Sequence, residues 1–534
     1  MFLRNSRLRD LILTFGIIAA SMTGCSKNEI NQPTNEAANQ SRLKATGIAP
    51  GIADLSFEEY NRAFMYRSGS TAYYKNSISS TNKESSWGLC IDMQGAMDAC
   101  ERTGRADYKT LVTDLFTNFL ANNPTSGWAG DLWNDDLGWY SLGLVRAYML
   151  TGKTNANFLT QAKYAFDIVW SRGWDTQYNG GGIWELQPEA CVNGIAGKNP
   201  LAVNSNGLAA AMIYQACGDH YYYDRAMQIY DWSWWHLFDA NLGLVYGSLE
   251  HDGTVNKDAN LYNQGTWLDY ANTMHNITGN ANYLRDAQKT ADFGRNNMYN
   301  SGIISNTSAG CTWAAEYARG LGHLCKDNNL YGIYGDWMVQ NANSIWNSRR
   351  TDYNITDNAW SQKTSSDNTI SPTKFVSAVA WMQFTPMQNN TINSGSTYVI
   401  VSKNSGKVMD VAGGSTTNNA KIDQWGFSNS NNQRWVVTSL GSNAYSIKCV
   451  NGGLFLDIEG GSTANGANII QYGWNGGNNQ RWYLNSDGKG YFTIVSVASG
   501  KAIDVSGASA ANGASILQWT VSGSDNQKWS LVAN

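Results

Sequence analysis

The sequence predicts a multidomain chain, an all-α domain over residues 51–388 followed by an all-β domain over 397–534, with a short linker at 389–396. Two observations carry this. About twelve amphipathic segments at helical spacing fill the first region, and one 47-residue unit occurs three times in the second. At 534 residues the chain is long enough for several separate cores.

The helical reading rests on punctuation. "ERTGRADYKTLVTDLF", "LTGKTNANFLTQAKYAFD", "ACGDHYYYDRAMQIYDW" and "ITGNANYLRDAQKTADF" each stop one helix, at Gly104, Gly152, Gly218 and Gly279, and start another a few residues later. Glycine is favoured there because it takes the left-handed conformation at little cost. Within the second helices apolar residues recur every three or four positions, as in Phe158, Leu159, Ala162, Ala165, Phe166 and Val169. The segments lie near 55–66, 87–103, 106–121, 135–151, 155–171, 203–217, 220–238, 260–278, 281–298, 309–325, 331–347 and 372–385. Six such αα-hairpins close into an (α/α)6 barrel or string out as an open solenoid. In a barrel, the long loops "NPTSGWAGDLWNDDLGWY", "SRGWDTQYNGGGIWELQPEACVNGIAGKNPLAVNSNG" and "DANLYNQGTWLDY" all precede inner helices and open on one face. Long loops rich in Gly and aromatic residues are usually functional.

From about residue 396 the texture changes to short β-type runs between Gly, Ser and Asn. Asp410, Asp457 and Asp504 lie 47 residues apart, as do Gln433, Gln480 and Gln527, and Trp435, Trp482 and Trp529. A constant period repeated three times signals internal pseudo-symmetry. The pattern resembles the ricin-type β-trefoil lectin, with its Q-x-W signature in each lobe. The resemblance implies that the three tryptophans are core residues. It also implies sugar contacts at Asp410, Trp425 and Asn432, at Asp457, Tyr472 and Asn479, and at Asp504, Trp519 and Asn526. Carboxylate and amide would take vicinal hydroxyls while the ring covers the apolar face of the sugar, and three weak sites would act by avidity.

Composition narrows the partners. Charged residues are 15%, against about a quarter in ordinary domains, and the net charge is -4 with no basic block, which argues against nucleic acid. The 22 Trp and 28 Tyr mostly pack cores, yet such rings also stack on sugars while keeping their polar edges wet. At the N-terminus, Arg4, Arg7 and Arg9 precede an apolar run from Leu11 to Ala20, too short to span a bilayer and suited to a signal peptide. Its end, "MTGC", resembles a bacterial lipobox. That implies a leader over 1–25, a diacylated Cys25 as mature N-terminus, attachment to the bacterial cell envelope, and a polar tether over 26–50; a plainly cleaved signal is the alternative. Seven cysteines follow Cys25, an odd number that cannot pair completely. Cys90 and Cys100 on one helix would stand ~15 Å apart, so the cysteines read as small core residues. With no CxxC and five scattered His, neither metal nor other cofactor is expected. A monomer is expected.

"NDDLGW" places Asp135 and Asp136 side by side between Trp133 and Trp139. One explanation is a helix cap followed by an acid favoured by the helix dipole. The other is catalysis. Glycosidic bonds break through an oxocarbenium-like state in which one carboxylic acid protonates the leaving oxygen. A second carboxylate attacks from ~5–5.5 Å in retaining enzymes, or activates water from ~6.5–9.5 Å in inverting ones. Neighbouring residues have Cα atoms about 3.8 Å apart, which favours retention. Repulsion raises one pKa and so divides the roles, although the sequence alone does not choose which aspartate takes which.

"WNDDLGWY" followed by "GGGIWE", "KNPLAVNSNG" and "YNQGTW" resembles glycoside hydrolase family 76, the endo-α-1,6-mannanases and related fungal cell-wall mannoproteins on an (α/α)6 barrel. The resemblance covers roughly 55–385 and implies mannan as substrate, with Asp135 as nucleophile and Asp136 as acid/base. Trp133, Trp139, Tyr140 and Trp184 are candidate sugar platforms, Asn134, Asn204, Asn206 and Gln264 candidate hydroxyl partners, and Arg319 a further candidate. Two departures stand out: Glu185 where the family commonly has a second Trp, and "TWAAEYAR" where it commonly has Phe-Lys-Gly before the Arg. Other readings are a uronyl hydrolase or lyase on the same barrel, a mannan-capture lipoprotein without catalysis, and transglycosylation. The first lacks basic cleft residues beyond Lys198 and Arg172.

Overall fold

The computed structural model describes residues 47–187, 197–304, 314–387 and 392–533. Twelve helices occupy the first three stretches: α1 (Pro50–Phe64), α2 (Ser86–Thr103), α3 (Ala106–Asn122), α4 (Asn134–Leu150), α5 (Ala156–Gly173), α6 (Pro200–Cys217), α7 (His220–Leu237), α8 (Leu261–Thr278), α9 (Ala281–Asn297), α10 (Ala314–Asn328), α11 (Tyr331–Ser348) and α12 (Val376–Phe384). The even-numbered helices pack each on the next, and α12 returns to α2, so the ring closes and the open solenoid is excluded. The odd-numbered helices lie outside it. Their stripes are as the spacing predicts: Phe158, Ala162, Ala165, Phe166 and Val169 of α5 are buried. Inner helices are buried nearly all round, α12 over its whole length.

Tight turns join the C-terminal ends of inner helices to outer ones. Gly104, Gly218 and Gly279 cap α2, α6 and α8 in the left-handed conformation. Gly152 also has positive φ but follows the cap residue Thr151. The barrel therefore has one closed end, while the long loops gather at the N-terminal ends of the inner helices. α1 starts five residues before the predicted segment because Pro50 takes its first position, where a missing N–H costs nothing. Small hairpins, β1 (Met65–Ser68) with β2 (Thr71–Tyr74), β3 (Phe238–Asp239) with β4 (Leu244–Val245) and β5 (Ser248–Leu249) with β6 (Val255–Asn256), decorate the loops. The described cysteines Cys90, Cys100, Cys325 and Cys449 are buried and free; Cys217 is free but exposed, because it ends α6 at the surface. Cys25 and the leader lie outside the described residues, and no helix among those described is long and apolar enough to cross a membrane.

The second domain has twelve strands: β7 (Ser396–Ser402), β8 (Val408–Val411), β9 (Ile422–Trp425), β10 (Trp435–Gly441), β11 (Ala444–Cys449), β12 (Phe455–Ile458), β13 (Ile469–Tyr472), β14 (Trp482–Ser486), β15 (Phe492–Ser496), β16 (Ala502–Val505), β17 (Ala514–Trp519) and β18 (Lys528–Ala533). Six of them close an antiparallel barrel in the order β7, β10, β11, β14, β15, β18 and back to β7. Three hairpins, β8–β9, β12–β13 and β16–β17, cap it. This is a β-trefoil. Trp435, Trp482 and Trp529 are wholly buried, and each indole donates to a carbonyl, of Met409, Leu456 and Ile503, at 3.1–3.3 Å. Three buried glutamines close the symmetry: Gln424 donates to the Ser509 and Ala511 carbonyls, Gln471 to those of Ser415 and Thr417, and Gln518 to those of Ser462 and Ala464. Each lobe is thereby stitched to another in a cycle.

Barrel and trefoil belong to one compact unit. Ala49 and Leu55 pack with Val399, Val401, Val408, Phe427 and Val532. The Gly51 N–H donates to Ser530 Oγ at 3.1 Å, and Arg105 Nη2 to the Ser405 carbonyl at 2.6 Å. These residues stand at the start of α1 and the α2–α3 turn, the closed end of the barrel.

α8 and α10 meet backbone to backbone: a Cβ on Gly265 would stand 2.1 Å from the Tyr317 nitrogen. Gly265→Ala should therefore destabilise the barrel by about 1–3 kcal/mol, as overpacked cores do, read as an earlier transition in calorimetry.

Candidate active site

At the open end of the barrel lies a cavity of about 430 Å³, within the range of small-molecule sites. Asp135 and Asp136 enter it from the first turn of α4 and Glu185 from the long loop. Glu316 comes from the first turn of α10, and Trp87, Trp133, Trp139 and Tyr262 supply rings. Ile91 and Leu201 complete the described wall, which contains no basic or amide side chain.

Asn134 fixes where the aspartates point. Its backbone N–H donates to the Glu185 carbonyl at 2.7 Å, and its side-chain amide donates to the Trp184 and Leu186 carbonyls at 2.8 and 3.2 Å. Arg172 Nε donates to Asn134 Oδ1 at 2.7 Å, and Asn206 Nδ2 to the Asn134 carbonyl at 3.2 Å. Gly138, one turn on, lets α6 approach: a Cβ there would stand 2.6 Å from Asn206 Nδ2. The N-cap residue of α4 is Trp133, whose side chain makes no capping bond, and neither aspartate stands at that position.

Their environments differ. Asp135 is 8% exposed, with one carboxylate oxygen that no described residue bonds. Burial pushes its pKa well up, and the charges of Asp136 and Glu185 add to this. The backbone N–H groups of Asp135 and Asp136 oppose it by donating to the carboxylate. Asp136 is pushed up to about 7, first by burial and then by Asp131, with no such donors. Both carboxyls are thus raised by the same enclosure, and only that of Asp135 also accepts backbone N–H bonds, which favour its charged form. Glu185, itself raised by burial, thus acts on Asp135 from the position where the sequence departs from the pattern it resembles.

Several predicted contacts sit elsewhere. Trp133 stands 42% exposed at the rim and Trp139 lines the wall, but Trp184 is buried. Its Nε1 donates to Asp175 Oδ2 at 3.0 Å, and the Lys198 ammonium lies 4.7 Å from its ring. Tyr140 packs against Phe119 and Trp128 in the core. Asn204 accepts from Ser233 Oγ, Asn206 also donates to the Ala202 carbonyl, and Gln264 both donates to and accepts from the Val245 backbone. Arg319 is buried in ion pairs with Asp98 and Glu316. Asn134, Trp184, Tyr140, Asn204, Asn206, Gln264 and Arg319 therefore brace the wall and do not line the cavity. Tyr262, Glu316 and Trp87 do line it. Tyr262 was visible as the ring opening the "YNQGTW" motif; Glu316 had no signal beyond its spacing from Arg319.

On the trefoil, the threefold sets assemble. Asn432 Nδ2 donates to Asp410 Oδ2 at 2.9 Å and Asn479 Nδ2 to Asp457 Oδ1 at 2.8 Å. In the third lobe Gln527 Nε2 takes Asp504 Oδ2 at 2.9 Å while Asn526 Nδ2 donates to the Val505 carbonyl. Trp425, Tyr472 and Trp519 are exposed beside them. The first lobe is chemically distinct: Asp423 faces Asp410 across the hairpin, where the others place Ile470 and Leu517. Burial and Asp410 push Asp423 up to about 6.

A family model described as glycosyl hydrolase family 76 matches residues 59–396, and one described as a ricin-type beta-trefoil lectin domain-like family matches 381–472 and 478–534. The α-1,6-mannanase of Salegentibacter sp. shares 21% identity, with a TM-score of 0.56 over 63% of this chain and 98% of that one. An inactive variant of it, with two neighbouring aspartates changed to asparagine, was solved with α-1,6-mannotriose. An α-mannanase of Bacteroides thetaiotaomicron shares 20% identity, with a TM-score of 0.51 over 62% of this chain and 94% of that one. These likenesses show the fold. A D-mannose isomerase of Marinomonas mediterranea is 30% identical over 96 residues, 18% of this chain and 24% of that protein.

Because Asp423 holds its proton more tightly folded than unfolded, its ionisation costs the fold stability as pH rises from about 4 through about 6. The melting temperature of Asp423→Asn relative to the parent should therefore increase between pH 4 and pH 7, measured by calorimetry.

Proposed function

The chain belongs to glycosyl hydrolase family 76, and from that premise we propose that it is an endo-acting hydrolase cleaving α-1,6-mannosidic bonds of mannan with retention. The observation that carries this reading is the pair Asp135 and Asp136 on one helix turn, in an aromatic cavity, with unlike environments. Asp136, near 7, protonates the leaving oxygen, and once deprotonated it activates the water that completes turnover. Asp135, whose carboxylate faces two backbone donors, attacks the anomeric carbon. The positive charge that develops there favours the ionised form of Asp135 in the transition state. Trp133 and Trp139 offer the faces on which the mannose rings rest.

The trefoil supports targeting: three exposed rings beside hydrogen-bonded carboxylates suit weak, repeated contacts with polysaccharide. The sequence from Arg4 to Cys25 supports attachment of the mature chain to the bacterial envelope through a lipid on Cys25.

The test uses residues 26–534 on linear α-1,6-mannan, with NMR reading the anomer released in the first minutes. Early α-anomers are expected, and Asp136→Asn should lower kcat by about 10²–10⁴-fold, the scale of general acid catalysis. Early β-anomers would overturn retention, and intact protein without cleavage would overturn the enzyme reading in favour of mannan capture. The profile of kcat/KM against pH should fall on its alkaline side near pH 7, as Asp136 loses the proton the leaving oxygen needs.

A further inference from the structure

We propose that Glu316 is a substrate-binding residue: a fixed hydrogen-bond acceptor on the cavity floor that takes one hydroxyl of the sugar seated over Asp135 and Asp136. The inference rests on the glycoside hydrolase reading and adds a contact to it.

Glu316 is 5% exposed and lines the cavity from the first turn of α10. Its two oxygens have different fates. Oε2 accepts from Arg319 Nη1 at 2.7 Å, while Oε1 is buried and has no partner among the described residues. Arg319 cannot swing to serve both, because its Nε and Nη2 donate to the two oxygens of Asp98 at 2.9 Å each. Asp98 in turn meets Arg146 at 2.7 Å, and Arg146 reaches Glu101 at 2.9 Å. His323 bridges Glu101 and Asp269, and their charges push its pKa up to about 10 against the effect of burial, so it is a cation at neutral pH.

The charges along this ladder are unevenly placed. Asp98, Glu101, Asp269 and Glu316 share three enclosed cations, Arg146, Arg319 and His323. The fourth, Lys326, reaches Glu101 from solvent at the far end, 59% exposed. The oxygen left without a partner belongs to Glu316, the member of the ladder that also lines the cavity with Asp135 and Asp136. A buried acceptor without a donor is costly, and the cavity wall supplies no donor from a basic or amide side chain. What fits is a neutral ligand rich in O–H donors. The clamp on Oε2 fixes the direction of Oε1, so the contact selects by geometry as well as by charge.

The test places Glu316→Gln in the Asp135→Asn/Asp136→Asn background, where binding is read without turnover. Gln keeps the size but, with its oxygen drawn to Arg319, turns an amide donor to the cavity. Titration calorimetry then compares α-1,6-mannotriose with analogues each lacking one hydroxyl. With Glu316 present, one analogue should bind about 10- to 100-fold more weakly than the parent, the scale of a charge-assisted hydrogen bond. Glu316→Gln should weaken the parent sugar similarly and erase that discrimination. Glu316→Asp, which keeps the charge for Arg319, substitutes if Glu316→Gln loses its near-ultraviolet circular dichroism. Equal affinities across the panel in both backgrounds would overturn the role of Glu316 while leaving the mannanase reading intact. An amino-substituted analogue preferred over the parent in a Glu316-dependent way would overturn the hydroxyl assignment in favour of an ammonium. No binding of the trisaccharide to any form would overturn the substrate reading and this inference with it.

Discussion

The start of α4 is held from outside the helix, by the bonds that Asn134 exchanges with the carbonyls of Trp184, Glu185 and Leu186, with Arg172 and with Asn206. Through them one residue ties an inner helix, an outer helix, a neighbouring inner helix and the long loop. The two aspartates immediately after it inherit that rigidity, and a carboxylate pair must be held within a fraction of an ångström to act. Lys198 does the corresponding work for the loop: wholly buried, it donates to the carbonyls of Asp175, Tyr178 and Gly181 and lies over the Trp184 ring. The polar residues of the motifs are therefore mostly scaffold, and the cavity wall is left to a few acids and rings.

Beneath the cavity the barrel axis is charged rather than apolar. A buried ion pair seldom adds net stability over a well-packed apolar core, but losing one member leaves an unpaired charge. The ladder from Glu316 to Asp269 is therefore all-or-nothing, and it spans the ring between α2, α4, α8 and α10. It fixes the inner helices in register at the depth where the cavity ends. Upward pKa shifts at Asp135, Asp136 and Glu185 follow from the same enclosure, since none of them meets a cation in the described wall.

The twelve helices were legible because glycine stops and apolar stripes are local properties of the chain, and the trefoil because a 47-residue period survives in plain sequence. The two-residue strands of the loop hairpins were not, since so short a strand has no period to detect. At the cavity, the adjacent aspartates announced themselves by their mutual repulsion. Asn204, Asn206 and Gln264 looked like hydroxyl partners because an amide next to a catalytic motif has the same letters whether it faces sugar or backbone; only the packing of α6 and α8 shows which. Trp184 and Tyr140 were ambiguous in the same way. Glu316 was hidden by its partner, since Glu and Arg three apart on a helix read as a surface ion pair until both are found buried.

The joint between the domains lies at the closed end of the barrel, through the start of α1 and the α2–α3 turn. The trefoil therefore cannot lengthen the groove in which bonds would be cut. Any polymer it grips lies behind the cutting edge, so the strand used as a foothold and the strand being shortened need not be the same. On the proposed reading, such an arrangement would consume its surroundings before it loosened its own hold.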